Sequence, residues 1–170
     1  MKRILMMLFL FCSFISKAQN IIPATDTLKI VGKIKHPITY TINTLDTFSK
    51  TSFADITIVS PDGKNFGTIK NLKGVLLKDI FKNIEIPASK PKYLNEYYFV
   101  FIASDGYKVV FSWNEIFNNE SGDHFYLITE MDGKKLKEIN SRISMISTKD
   151  FVTGRRYIQG LQKIIVNQVD

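Results

Sequence analysis

Few side chains in this sequence can do chemistry, and their scarcity is informative. There are two histidines, His36 and His124, and one cysteine, Cys12. Two histidines cannot build a multi-histidine zinc site, and a single cysteine offers at most one thiolate as nucleophile or metal ligand. His36 precedes Pro37 and is expected to place a turn. His124 follows Gly122-Asp123 at the start of a strand pattern and can contribute to a site. The neighbouring carboxylates Glu115/Glu120 and Glu130/Asp132 have no spacing that would face them across one element, so they are read as cap and turn residues. No nucleophile elbow, phosphate-binding loop, dinucleotide fingerprint or His-Glu-x-x-His motif occurs. Basic residues are scattered, with dense runs only at Lys134-Lys135-Leu136-Lys137 and Arg155-Arg156. Nucleic-acid binding needs a concentrated basic stripe or a known module, and neither is present. A small anionic ligand or an acidic protein partner fits this charge pattern.

Cys12 lies in a segment with a distinct composition. Lys2 and Arg3 precede the apolar run Ile4 to Ile15, and Ser16-Lys17-Ala18 places small residues before Gln19. That is the layout of a secretory signal peptide over residues 1–18. The run is shorter than the ~20 apolar residues of a membrane-spanning helix. A lipid anchor at Cys12 is the competing reading, although Phe11 stands where a small residue normally precedes a lipid-modified cysteine. Cleavage would leave a cysteine-free chain in the periplasm or outside the cell, with no membrane span and no disulfide. Three of the 23 Lys and Arg and none of the 16 Asp and Glu lie in this segment, so the formal net charge falls from +7 to +4 on cleavage. Stability would then rest on packing, to which 13 Phe and 7 Tyr can contribute.

The elements that must position any site follow from periodicity. Residues 19–27, with Pro23, are expected to form a flexible tail, and residues 28–170 a single domain. Leu28 to Ile34 and Phe53 to Val59 alternate as strands, and Ser60-Pro61-Asp62-Gly63 turns the second into Phe66–Ile69. Thr41 or Asn43 can cap one or two helical turns. Val75, Leu76, Asp79, Ile80, Phe81 and Ile84 have helical spacing. Tyr97 to Ala103 is unbroken apolar sequence, read as a central strand buried on both faces. Ser104-Asp105-Gly106 returns it into Tyr107–Phe111. Ser112 with Glu115 forms a capping box for a helix through Trp113, Ile116 and Phe117. Strands follow at Phe125–Thr129, Ile143–Ser147 and Leu161–Val166. About nine short strands with two or three short helices, joined mostly by hairpins, predict an α+β fold with a mixed, mostly antiparallel sheet.

Five segments in order carry a resemblance. Val31-Gly32-Lys33-Ile34-Lys35-His36-Pro37, Gly74-Val75-Leu76-Leu77-Lys78-Asp79-Ile80-Phe81, Ser104-Asp105-Gly106-Tyr107 with Phe111-Ser112-Trp113-Asn114-Glu115, Leu127 to Leu136 around Asp132-Gly133, and Gly154-Arg155-Arg156-Tyr157-Ile158 with Ile164 are similar to the molybdopterin-binding domain of the sulfite oxidase family. The similarity spans roughly residues 28–167. It implies a mixed α+β fold with a cleft for a pterin-type molybdenum cofactor. It also implies that Arg155 and Arg156 supply guanidiniums to a phosphate, with Lys149, Tyr107 and His124 as further cofactor-binding candidates. The family's molybdenum ligand is a cysteine. The corresponding segment here is Phe48-Ser49-Lys50-Thr51-Ser52, and the family's terminal lysine position holds Gln159. The expectation is therefore a non-catalytic exported member that binds a small anionic or pterin-like ligand, or a periplasmic protein partner. The alternative is a molybdenum-cofactor oxidoreductase whose metal is held by the pterin dithiolene alone.

Overall fold

In the computed structural model residues 21–170 are described, and the expected signal segment with Cys12 lies outside them. Thirteen strands and three short α-helices are present among the described residues. In chain order they are β1 Thr27–Gly32, β2 Ile38–Thr41, α1 Ile42–Leu45, β3 Thr51–Phe53, β4 Ile56–Val59, β5 Asn65–Ile69, β6 Leu72–Leu76, α2 Leu77–Phe81, β7 Tyr97–Ala103, β8 Lys108–Ser112, α3 Trp113–Phe117, β9 Phe125–Met131, β10 Lys134–Lys135, β11 Ser144–Ser147, β12 Ile158–Gln159 and β13 Leu161–Gln168. One sheet has the order β2-β1-β13-β7-β8, a second the order β12-β11-β9-β6-β3 with β10 on β9, and β4-β5 form a separate hairpin. Among the described strands only β1 and β13 pair in parallel, with Ile30 opposite Ile164. The α+β, mostly antiparallel fold expected from the sequence is the one observed.

The alternating side chains of the strands explain two cores. Leu127 and Met145 point into a large core with Leu28, Ile30, Phe99, Phe101 and Ile164 of the first sheet. Their chain neighbours Ile128 and Ile146 point the other way, into a smaller core with Ile56, Ile58 and Leu72. The second sheet is thus covered on both faces, by the first sheet and by the β4-β5 hairpin, and all four residues of β11 are buried. Strand β7 is interior, between β13 and β8, but only Tyr97, Phe99, Phe101 and Ala103 are buried; Tyr98, Val100 and Ile102 are half-exposed. Apolar composition alone could not separate a strand covered on both faces from one covered on a single face. The Phe99 and Phe101 rings meet Phe81 and Phe111 at centroid distances of 5.0 and 4.7 Å. Each such buried ring contributes roughly 1.5–3 kcal/mol of transfer free energy.

Three expectations are corrected. The helix read from Val75 begins at Leu77, because Leu72–Leu76 is held as a strand by β9 on one side and β3 on the other. Sheet pairing, which for Val75 and Leu76 comes from β9, outweighs a helical spacing of apolar residues. The strand read from Phe53 to Val59 divides at Asp55, whose carboxylate accepts from the Asn71 amide at 3.1 Å, and its halves join different sheets. The tail expected over 19–27 is anchored from Pro23 onward. The Pro23 carbonyl accepts from the Ser104 hydroxyl at 2.6 Å, Thr25 is buried and donates to the Leu161 carbonyl at 3.1 Å, and Asp26 pairs with Arg142.

Candidate anion-binding cleft

The chain leaving β11 builds the site. Ser147 ends the strand, and the next amide, Thr148, donates to the His124 carbonyl at 2.9 Å. Residues 153–156 form a 3₁₀ turn fastened to β4: Thr153 Oγ1 donates to the Thr57 carbonyl at 2.7 Å and accepts from the Val59 amide at 2.9 Å. Glycine is needed within that turn, because a Cβ on Gly154 would lie 2.7 Å from the Val59 carbonyl oxygen. From the first sheet, Tyr107 donates its hydroxyl to the Arg155 carbonyl at 2.6 Å. The 148–156 segment is therefore held from three sides, and it encloses a cleft of about 410 Å³.

The floor of this cleft is a charged network. Arg156 donates through Nε to Asp150 Oδ2 at 2.6 Å and through Nη2 to Asp150 Oδ1 at 2.5 Å, a two-pronged pair. Its Nη1 donates to Glu115 Oε1 at 3.0 Å. Ser147 Oγ donates to Asp150 Oδ1 at 2.6 Å. Glu115 also serves α3, since its Oε2 accepts from the Ser112 amide at 2.9 Å and closes the capping box of that helix. The guanidinium also lies 5.2 Å from the Phe111 ring centroid and 5.0 Å from that of Phe125, within cation–π range. The Asp150 hydrogen bonds push the Arg156 pKa further up, against the opposing effect of burial. Side-chain exposures of 23% for Arg156 and 12% for Asp150 mark the pair as largely withdrawn from solvent. The rim differs: Lys149 and Arg155 are exposed, Phe151 is wholly so, and all three line the cleft with Ser121.

The five expected site residues therefore separate. Arg155, Arg156 and Lys149 come together at the cleft. Arg156 is not a free guanidinium there, since two carboxylates engage it. Tyr107 and His124 do not line the cleft; the first holds the Arg155 backbone by its hydroxyl and the second holds the Thr148 amide by its carbonyl. Asp150, Ser147, Glu115 and Phe151 complete the site, and sequence reasoning missed them in this role. Asp150 and Arg156 are six residues apart in a non-repetitive loop, a spacing that carries no periodic signal.

No family model matches the chain, and no curated protein sequence matches it. Its fold resembles that of the sulfane dehydrogenase SoxCD from Paracoccus pantotrophus. The match has a TM-score of 0.58 at 14% identity and covers 86% of this chain. It covers 40% of the SoxCD chain, so this protein spans well under half of that length. At this identity the likeness to SoxCD concerns the fold, and it agrees with the sulfite-oxidase-like fold that the sequence resemblance implied.

The residues present do not fit the metal-bearing pterin of that resemblance. The only cysteine in the sequence is Cys12. The segment that would replace the thiolate offers the hydroxyls of Ser49, Thr51 and Ser52, which are poor ligands for a soft metal–sulfur site. It leads into β3, three strands across the sheet from β11, or about 14 Å at strand spacing. The most buried cation of the cleft is already neutralised from within the protein. No group of three or more His, Cys, Asp or Glu is placed to hold a metal ion among the described residues.

Proposed function

We propose that this protein is a binding module, exported by its N-terminal segment, that holds a small organic anion in the 148–156 cleft without redox turnover. One observation carries the reading. Two exposed cations, Lys149 and Arg155, and a wholly exposed aromatic ring, Phe151, share the rim of a concave site. The floor beneath them is fixed in advance by the Arg156–Asp150–Glu115 network. A fixed floor lowers the ordering penalty of binding, and exposed cations at the rim attract and contact the anion. The exposed ring offers a face for the apolar part of the ligand. The reading without redox turnover is supported by the absence of a cysteine from the segment 48–52 and by the neutralised Arg156. Likeness of fold to an oxidoreductase is no argument for oxidoreductase chemistry, because activity resides in sites grafted on folds.

Calorimetric titration with benzenesulfonate, an aromatic ring bearing one negative charge, tests the reading. Binding is expected to weaken about tenfold when Lys149 and Arg155 are both replaced by alanine, each replacement removing a charge contact of surface strength. Equal affinity of the wild-type protein and the double variant would reject the cleft as the binding site.

A further inference from the structure

The floor of the cleft contains an anion of its own, and this bears on which ligands the rim can take. Asp150 occupies the Nε–Nη2 side of Arg156 with both carboxylate oxygens and is held there by Ser147. Glu115 takes the remaining terminal nitrogen. Two carboxylates thus face one guanidinium, so Lys149 and Arg155 together leave this site a single net positive charge. A ligand entering the cleft meets two exposed cations at the rim and the Asp150 carboxylate beneath them.

We propose that Asp150 is a specificity-determining residue that restricts the cleft to singly charged anions and excludes phosphate-type dianions. This rests on the anion-binding reading above. The mechanism is one of charge balance. A monoanion is matched by the net charge of the site. The second charge of a dianion gains no pairing with the floor, because the two-pronged side of Arg156 is taken by an internal carboxylate, and it is repelled by that carboxylate at close range in a partly desolvated cleft. The Arg156–Asp150 pair stays in place on binding, since displacing Asp150 would leave a carboxylate of 12% side-chain exposure without its cation.

The test uses two probes that share a ring and differ in charge: benzenesulfonate, a monoanion, and phenyl phosphate, a dianion at pH 8. Both are titrated into the purified protein at equal ionic strength, and then into Asp150→Asn, which keeps the shape of the side chain and removes its charge. Wild type is expected to bind benzenesulfonate more tightly than phenyl phosphate. Asp150→Asn should gain about tenfold for phenyl phosphate and only about threefold for benzenesulfonate, since removal of one nearby like charge relieves half the repulsion for half the ligand charge. A wild-type protein that prefers phenyl phosphate overturns the proposal whether or not the variant folds. So does a folded Asp150→Asn with unchanged selectivity. Both results leave the anion-binding cleft standing. If wild type binds neither probe, the anion-binding reading and this proposal fail together.

Discussion

Replacing Arg156 by alanine tests the role of the network most sharply, because its effect falls unevenly on the two carboxylates. Glu115 has a side-chain exposure of 41% and retains the Ser112 amide as a donor, so it loses little. Asp150 is 12% exposed and retains only the Ser147 hydroxyl. Breaking a fully buried ion pair from one side costs about 3–5 kcal/mol, whereas a surface pair contributes ~0–1 kcal/mol. Exposures of 23% and 12% place this pair nearer the buried limit, at about 2–3 kcal/mol. In a domain of this length each kcal/mol moves the melting temperature by roughly 2–4 °C, so a fall of about 4–12 °C is expected. Thermal unfolding followed by circular dichroism measures it, and a cycle with Asp150→Ala isolates the pairwise part. A fall below about 2 °C, or a double variant that is the sum of the single ones, would refute the argument. Arg155→Ala offers an internal contrast: that side chain is exposed, its carbonyl remains available to Tyr107, and its melting temperature should stay near that of wild type.

Other consequences are open to direct measurement. Ser112→Ala removes the α3 cap and should lower stability by about 1 kcal/mol, read as a shift in a denaturant midpoint; no shift would deny the capping box its role. Burial raises the Tyr157 pKa above its ordinary value of 10.0. The folded state then holds its phenolic proton longer than the unfolded chain, so this contribution is complete below pH 10 and is lost as pH rises through the folded value. Tyr157→Phe should flatten that alkaline loss in melts above pH 10, and an unchanged slope would assign the loss elsewhere. Protein purified from its own compartment should lack stoichiometric molybdenum and pterin, assayed together; finding both at one per chain would overturn the non-redox reading.

The sequence disclosed local features well and convergent ones poorly. The Ser112–Glu115 capping box, the Thr41 cap and the Ser60-Pro61-Asp62-Gly63 turn were legible because each is set by residues within a few positions. Strands β9, β11 and β13 were legible from apolar β-branched runs. What escaped was decided by partners distant in sequence. Val75 and Leu76 read as helix until β9 claimed their backbone. Thr25 read as tail because its partners, Ser141 and Leu161, lie more than a hundred residues away. At the site, the Arg155-Arg156 pair was visible as charge, but the sequence could not tell the exposed cation from the one clamped by Asp150 and Glu115. Glu115 was correctly read as a cap, and its second oxygen, on Arg156, became visible only when the two sheets came together.

The most direct test of the account is calorimetric titration of benzenesulfonate into wild type and into the Lys149→Ala, Arg155→Ala double variant, with melting temperatures measured on the same samples. The account predicts measurable binding by wild type, a loss of about tenfold in the double variant and a melting temperature unchanged within about 2 °C. Equal affinities in the two proteins, or no binding by wild type, would contradict it.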